Sequence, residues 1–239
     1  MFDLDIIMLT NTKDDNIYKM TCKAIDSLRK SEESSFNLIL VESNKNSDYE
    51  YDAEHYIKPD IDFNYNSYLN IGSKYCVSDY SAISNNDVVF HNKWWTNLKT
   101  AMIKNNLDTA SPKSPTKQFG VHDLVEMKHR YTPETKIVEG HYVVYTFCGW
   151  FWAMTKDVRE WLFPLDEQFS FFYQDNDIIM RLQEKNCKHA LVGGSKVSHI
   201  GQRSHDILIN NGSYYKHTAG LRTVFEKKYK DRLNDKTPY

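Results

Sequence analysis

The chain has 239 residues, which suits one large α/β domain or two small ones and allows a substantial core. Its net charge of −2 excludes a strong overall attraction to nucleic acid or to a membrane surface. No stretch approaches ~18 uninterrupted apolar residues and the amino terminus lacks a basic signal-peptide region, so we predict a cytoplasmic protein without a membrane span. The four cysteines form no CxxC pair and are predicted to be free, mostly buried thiols.

The first part of the chain predicts a β-α-β unit. Asp5 to Thr10 and Phe36 to Val41 are continuous apolar runs, as in parallel strands that are buried on both faces. Between them, Ile17 to Leu28 has apolar residues at helical spacing. Ligands of open α/β sheets bind outside the carboxyl ends of the strands. The polar residues that follow these strands, which include Thr10, Asn11 and Glu42, are therefore predicted to lie where a nucleotide would bind.

A further strand, Tyr80 to Ser84, ends in Asn85-Asn86-Asp87. Amide and carboxylate side chains favour turns because they bond to nearby backbone. Carboxylate oxygens are also the ligands that a hard divalent cation prefers. From this segment alone, two interpretations of Asp87 stay open: a residue of a strand-ending turn, or a metal ligand. A helix from about Asn92 to Ile103 and a short strand from Leu107 to Ala110 are predicted to follow.

The segment from Ser111 to Gly140 has three of the six prolines, several basic residues and little periodicity. It predicts a long loop over the active face of the sheet. Tyr142 to Met154 predicts a strand that is interrupted at Cys148-Gly149-Trp150. Two short strands are predicted near the end of the fold, at Ala190 to Val192 and at Lys196 to Ile200. The basic tail from about Tyr214 predicts an amphipathic helix with Leu221, Val224 and Phe225 on one face.

Two carboxylates open the helix that is predicted from Asp175 to Asn186, directly after an aromatic run. They suit a helix cap and a favourable first-turn charge. An aspartate in an aromatic, partly dry setting also suits a general base. Because residues two apart on a helix do not share a face, Asp175 and Asp177 are predicted to have different roles. His199 follows the last strand and becomes a plausible metal or phosphate ligand near the aspartates at the other strand ends.

Taken in order, these features resemble the GT-A nucleotide-sugar glycosyltransferases, and most closely the family 2 inverting group with its rhamnosyltransferase-like members. The resemblance covers residues 4 to 205. Asn85-Asn86-Asp87-Val88 matches the form that the rhamnosyltransferase-like members often show in place of Asp-x-Asp. Gln174-Asp175-Asn176-Asp177 resembles the Glu-Asp-x-Asp motif, with Gln where the family has Glu. At Val41-Glu42-Ser43-Asn44 the family has Asp-Asp-Gly-Ser, so the sequence also departs from the pattern there.

The resemblance implies an α/β fold of the GT-A, Rossmann-like type. This fold is a three-layer sandwich with a central, mostly parallel sheet and helices on both faces. It also implies one domain over residues 1–239. Within this domain, residues 1–110 would form the nucleotide-sugar-binding half, residues 111–205 the acceptor-side half, and residues 206–239 a basic carboxyl-terminal helix.

The resemblance further implies an inverting glycosyltransferase that moves a sugar from a nucleoside-diphosphate sugar to an acceptor hydroxyl of a glycan. Asp175 would be the catalytic base, and Asp87 with His199 would hold a divalent metal, Mn²⁺ or Mg²⁺. The implied donor-binding residues are Thr10, Asn11, Glu42, Asn66, Asn70, Asn85 and Asn86. The implied acceptor-binding residues are Gly149, Trp150 and Asp177.

Three alternative functions fit parts of the sequence. The basic tail and the basic loop also suit a glycosyltransferase that acts on hydroxymethylated bases of phage DNA, a modified-nucleic-acid acceptor. A sugar- or nucleotide-binding module without catalysis would need neither Asp87 nor Asp175. A metal-dependent phosphoesterase would be built on Asp87, Asp177 and His199, and would hydrolyse the donor without an acceptor.

Overall fold

The computed structural model describes residues 2–116, 123–201 and 214–234. Over these ranges the strands are β1 (Leu4–Thr10), β2 (Phe36–Glu42), β3 (His55–Ile57), β4 (Tyr80–Asn85), β5 (Val88–Phe90), β6 (Thr109–Lys113), β7 (Ile137–Glu139), β8 (Phe151–Thr155) and β9 (His189–His199). The helices are α1 (Asp15–Ser31), α2 (Tyr65–Ser73), α3 (Trp94–Asn105), α4 (Asp123–Arg130), α5 (Lys156–Leu162), α6 (Gln174–Glu184), α7 (Tyr214–Lys228) and α8 (Lys230–Asn234).

The predicted β-α-β unit is confirmed by β1, α1 and β2. β1 and β2 pair in parallel over their whole length, from Leu4 opposite Phe36 to Thr10 opposite Glu42. The Asp14 side chain caps α1 by accepting hydrogen bonds from two backbone amides of its first turn, at 2.8 and 3.0 Å. Such a cap satisfies amides that have no partner within the helix.

The strands form one sheet in the order β3-β2-β1-β4-β8-β6-β9-β5, with β7 on β9. β2 pairs in parallel with both β1 and β3, and β1 also pairs in parallel with β4. β6 and β9 form a further parallel pair. β8 is antiparallel to both of its neighbours, and β5 and β7 are antiparallel to β9. The sheet is therefore mixed, and the prediction of a mostly parallel sheet was wrong for its second half.

The predicted three-layer sandwich is confirmed by two separate apolar clusters. Leu4, Ile6 and Met8 of β1 pack with residues of α1 and α3 on one face of the sheet. Ile7 points the other way and packs with residues of α2, α5 and α6. This alternation follows from the two-residue period of a strand, and it places helices on both faces.

The segment from Ser111 to Gly140 is not one long loop. β6 extends through Lys113, α4 follows the undescribed residues 117–122, and β7 pairs with β9. Pro112 made the strand hard to recognise, because proline lacks an amide hydrogen for the ladder. The pairing of β6 with β8 is confined to Thr109 and Ala110, so it ends before this proline. The predicted boundary between the two halves of the chain, at residues 110 and 111, falls inside β6.

Two further strand predictions were wrong. The strand predicted from Tyr142 is β8 alone, which begins at Phe151, and the residues before it form a loop in which Val144 has a left-handed φ of 70°. The two late strands are one, because β9 continues through Gly193 and Gly194 with a shift of register opposite Pro112 and Lys113.

The predicted amphipathic helix in the tail is confirmed in its described part, residues 214–234. Leu221 and Phe225 are buried, and Phe225 packs with Phe169, Met180 and Tyr229. Residues 206–213 and 235–239 of the predicted tail, and Lys117 of the predicted basic loop, lie outside the described residues. The four cysteines are free, with Cys148 and Cys187 buried. Within the described ranges, no helix is both long and apolar enough to cross a bilayer.

Candidate active site

The carboxyl edge of the sheet brings Glu42 and the loop after β1 together. Glu42 is buried, and its carboxylate accepts hydrogen bonds from the backbone amides of Thr12, at 3.0 Å, and Asn44, at 2.7 Å. The Asn44 side chain donates in turn to the Thr12 carbonyl, at 2.6 Å. Glu42 therefore shapes the two loops, and both of its oxygens accept bonds from the chain itself.

Thr10 and Asn86 also meet at this edge. The Asn86 amide donates to the hydroxyl groups of Thr10, at 3.1 Å, and Thr21, at 2.9 Å. It thereby fixes the turn between β4 and β5 to β1 and α1. Asn85 donates its backbone amide to the Trp150 carbonyl at 2.8 Å, and Asn11 is exposed where β1 ends.

A cavity of about 300 Å³ opens beside these loops. Its lining is polar and comprises Thr12, Lys13, Asn44, Asn46, Ser47, Asp48 and Tyr49. The Ser47 hydroxyl is buried and interacts with the Tyr56 side chain, so this group belongs to the packing behind the lining and is not exposed to the cavity.

Asp87 and His199 face each other across a strand pair. Val88 lies opposite His199 in the antiparallel pairing of β5 with β9, and the Ile200 amide donates to the Asp87 carbonyl at 2.8 Å. The Asp87 Oδ1 lies 3.3 Å from the His199 Nε2, and the two side chains are only 15% and 17% exposed. Neither Asp87 Oδ1 nor His199 Nδ1 has a hydrogen-bond partner in the part of the chain that the structure describes.

Trp150 stacks on His199, with ring centroids 5.2 Å apart and planes inclined by 7°. His129 of α4 meets the Trp150 ring edge-on at 6.2 Å. His129 accepts a bond from the Ser114 amide at Nε2, so its Nδ1 carries the proton and donates to the Tyr145 carbonyl at 3.1 Å. Burial lowers the pKa of His129 to about 4, so this imidazole is neutral.

Sequence reasoning missed His129. His129 itself lies in the segment that was predicted to be a loop, and its two polar partners, Ser114 and Tyr145, lie 15 and 16 residues away along the chain. The local sequence does not indicate these contacts, because neither the spacing nor the neighbours of His129 distinguish it from a surface residue. A prediction of α4 as a helix would have indicated that His129 has a packed side.

Asp175 lies in the first turn of α6, against the backbone of Gly149. Burial raises the pKa of its carboxyl group to about 6. Tyr65 of α2 and Cys148 lie near Asp175. Burial is the largest cause that raises the pKa of each of these two groups, and the charge of Asp175 raises it further. The carboxylate therefore sits in a partly dry setting, as the sequence predicted.

Gly149 is required by the position of Asp175. A Cβ atom at residue 149 would lie 2.1 Å from Asp175 Oδ2, far inside van der Waals contact. If Asp175 is the catalytic base that the resemblance implies, Gly149→Ala should displace its carboxylate and lower the transfer rate by about 10²-fold, because a misplaced catalytic group loses that much. The check compares transfer rates and nucleotide affinity. Gly220→Ala is the control, since a Cβ there meets nothing within 4 Å. A variant with unchanged rate would contradict this account of Gly149.

Asp177 has different surroundings from Asp175. Its side chain is buried and accepts bonds from Lys228 Nζ at 2.6 Å and from the Tyr229 hydroxyl at 2.7 Å. In the described residues, no group of three or more His, Cys, Asp or Glu side chains is placed to hold a metal. The structure therefore does not group Asp177 with Asp87 and His199, as the phosphoesterase alternative expected.

Asn66 and Asn70 lie on α2 and hold the loop before α6. Asn66 donates to the Asp166 carbonyl at 2.7 Å. Asn70 donates to the Leu165 carbonyl and accepts from the Leu165 amide, at 3.0 and 2.6 Å. Because both ends of the Asn70 side chain are bonded to this loop, we leave Asn70 out of the proposed donor site.

The comparisons with known proteins concern the fold. No protein-family model matches the sequence, and no curated protein matches it. The structure is similar to the crystal structure of S. aureus TarS 1-349, a glycosyltransferase with a GT-A-like fold, with a TM-score of 0.59 and 8% sequence identity. The match covers 82% of this chain and 59% of the TarS 1-349 chain, so this chain spans about three-fifths of the length of the chain it matches. The fold is the Rossmann-like GT-A fold.

Proposed function

We propose that the protein is an inverting glycosyltransferase that uses a nucleoside-diphosphate sugar and a divalent metal. The observation that carries this proposal is the convergence of three distant chain segments on Gly149 and Trp150. Asp175 lies against Gly149, Trp150 stacks on His199, and His199 faces Asp87. A carboxyl group with a raised pKa and a carboxylate–imidazole pair thus flank one short segment in a GT-A fold.

The donor would lie along the carboxyl edge of the sheet. The polar cavity beside the loops after β1 and β2 would take the nucleoside, and Asn11 and the Asn85 side chain would lie along its path to Asp87. Thr10, Glu42 and Asn86 would act by shaping the loops, because their polar groups bond mainly to the chain itself.

Asp87 and His199 fit a divalent metal. Their facing oxygen and nitrogen atoms lie 3.3 Å apart, and Asp87 Oδ1 is buried without a hydrogen bond from the described chain. A carboxylate oxygen suits both Mn²⁺ and Mg²⁺, whereas the softer imidazole nitrogen favours Mn²⁺ over Mg²⁺. A bound metal would neutralise the charge of the leaving diphosphate. Two protein ligands leave room for phosphate oxygens and water to complete the coordination.

Asp175 would act as the base. It would take the proton of the acceptor hydroxyl while the acceptor oxygen bonds to the anomeric carbon. The bond from that carbon to the diphosphate oxygen breaks at the same time, and the nucleoside diphosphate leaves with the bonding electrons. A single displacement with one base and no enzyme nucleophile gives inversion.

We favour a glycan acceptor over modified DNA. Three basic residues of the tail are occupied within the protein. Lys228 bridges Asp166 and Asp177, Arg232 bonds to the carbonyl of Met180 and to Gln183, and Arg222 pairs with Glu226. Lys228 and Arg232 are therefore committed to contacts within the fold, which weakens the case for a nucleic-acid acceptor, whereas the Arg222–Glu226 pair is exposed.

A thermal-shift experiment tests the proposed donor and metal site. We expect one nucleoside diphosphate among UDP, dTDP and GDP to raise Tm by about 5 °C when Mn²⁺ is present and the nucleotide is at about 100 times its Kd. The reason is that a ligand that binds the folded protein stabilises it by mass action. Asp87→Ala should remove the Mn²⁺-dependent part of this shift. Asp26→Ala should retain the Mn²⁺-dependent shift, because Asp26 is an exposed aspartate of α1. Absence of a shift with every nucleotide would contradict the proposed function.

A further inference from the structure

The backbone of His199 is held by side chains that follow β6. In the antiparallel pairing of β5 with β9, the Ile200 amide bonds to the Asp87 carbonyl, so the preceding residue, His199, exchanges no backbone bond with β5. The His199 amide donates instead to Ser114 Oγ, at 3.1 Å, and its carbonyl accepts from Thr116 Oγ1, at 3.0 Å. The two hydroxyl oxygens lie 3.0 Å apart. One short segment therefore fixes this end of β9.

Ser114 is held in turn by the imidazole of His129 on α4. The Ser114 amide donates to His129 Nε2 at 2.8 Å, and both residues are buried. A buried amide that loses its acceptor is strongly unfavourable, because no water replaces the lost bond. Without the imidazole, the backbone of Ser114 should move to find another acceptor. That movement would carry its hydroxyl group away from the His199 amide.

The same imidazole also reaches the loop before β8. Its Nδ1 donates to the Tyr145 carbonyl at 3.1 Å, and the loop continues to Trp150. The Trp150 ring meets His129 edge-on and stacks on His199. His129 is therefore connected to His199 by two routes, a hydrogen bond through Ser114 and packing through Trp150. Substitutions can remove one route and keep the other.

We propose that His129 is a positioning residue for His199. It accepts the Ser114 amide, and Ser114 thereby holds the His199 backbone so that the His199 imidazole faces Asp87. The chain of contacts stands on the distances alone. Its meaning for metal binding rests on the proposed function, in which Asp87 and His199 hold the metal. Groups that orient metal ligands without touching the metal commonly change metal affinity by about 10–100-fold.

Substitutions separate the hydrogen bond from the packing. His129→Phe keeps a ring against Trp150 but offers no acceptor, whereas His129→Gln offers an amide oxygen but no ring. Mn²⁺ binding is measured by electron paramagnetic resonance, with the metal alone as the probe. We expect His129→Phe and Ser114→Ala each to weaken Mn²⁺ binding by about 10-fold. His129→Gln should retain most of the affinity. Lys128→Ala removes an exposed neighbour on α4 and should change nothing.

A second measurement needs neither metal nor turnover. In His129→Phe, hydrogen exchange of the His199 amide, followed by NMR, should rise about 5-fold, because its bond to Ser114 Oγ is weakened. The Ile200 amide is the internal reference, since it bonds to Asp87 on the other side of β9. A general loosening of the strand would raise the exchange of both amides equally.

The outcomes are distinct. Unchanged exchange at His199, an equal rise at Ile200, or retained Mn²⁺ affinity in folded His129→Phe would overturn the proposal. Loss of Mn²⁺ affinity in His129→Gln would also overturn it, because packing on Trp150 would then position the pair. If His129→Phe does not fold, His129→Gln decides by the same criterion. If the unaltered protein binds no Mn²⁺ while exchange at His199 responds as expected, the proposed metal site fails and the positioning role stands.

Discussion

Asp175→Asn is expected to abolish sugar transfer, with a loss of about 10²–10⁴-fold, while donor affinity stays unchanged. The amide keeps the size of the carboxylate but cannot accept the proton of the acceptor hydroxyl, which is what a general base contributes. The measurement is the transfer rate under single-turnover conditions, together with nucleotide affinity from calorimetry. Asp157→Asn is a matched control, because Asp157 also lies in the first turn of a helix but is exposed.

The pH dependence of transfer should report the same residue. Burial raises the pKa of Asp175 to about 6, so the carboxyl group is protonated below that pH and cannot act as a base. The rate should therefore rise with pH through about 6 and then level off. Transfer by Asp175→Asn at nearly the original rate, or a rate that falls as pH rises through this range, would refute the assignment.

Asp5→Ala is expected to destabilise the fold by about 3–5 kcal/mol, the loss found when one partner of a buried ion pair is removed. Asp5 is fully buried in β1 and accepts bonds from the Val77 and Ser78 amides, at 2.9 and 2.8 Å. Its Oδ2 also lies 3.3 Å from Arg159 NH1, whose side chain is 10% exposed. The variant would leave the two amides without their acceptor and the buried guanidinium without its carboxylate, with only the neutral Ser78 carbonyl and Ser81 hydroxyl as the acceptors that the structure gives to Arg159 NH1.

Urea unfolding checks this expectation. Asp3→Ala is the control, since Asp3 is 44% exposed and lies 3.7 Å from Lys99, and an exposed pair of this kind contributes less than about 1 kcal/mol. A loss as small for Asp5 as for Asp3 would show that the buried network is dispensable. Because domains are stable by only about 5–15 kcal/mol, the expected loss is a large share of the total.

Much of the fold could be predicted from apolar periodicity. The run from Asp5 to Thr10 and the spacing in α1, α3 and α6 reflect burial on one or both faces, which a sequence displays directly. The order of Asp87, Asp175 and His199 along the chain also indicated a shared edge of the sheet. In the structure these three residues lie around Gly149 and Trp150. Their roles as metal ligands and base stay predictions.

The contacts that sequence reasoning missed join residues that are far apart in the chain. Asp5 and Arg159 are 154 residues apart, and Lys228 reaches Asp177 over 51 residues. The amides of α2 hold a loop about one hundred residues later. Local sequence propensity cannot predict such pairs, because each partner on its own is indistinguishable from an ordinary polar residue. His129 was missed for the same reason.

The continuous course of β9 has a consequence for comparing related sequences. His199 is placed beside Asp87 by the register of β9 against β5, not by the loops that lie between them in the chain. Insertions or deletions in those loops would therefore leave the pair intact. A single-residue deletion within β9 would turn His199 to the opposite face of the sheet. Among distant relatives, we expect conserved strand lengths here to be more informative than conserved spacing between the two residues.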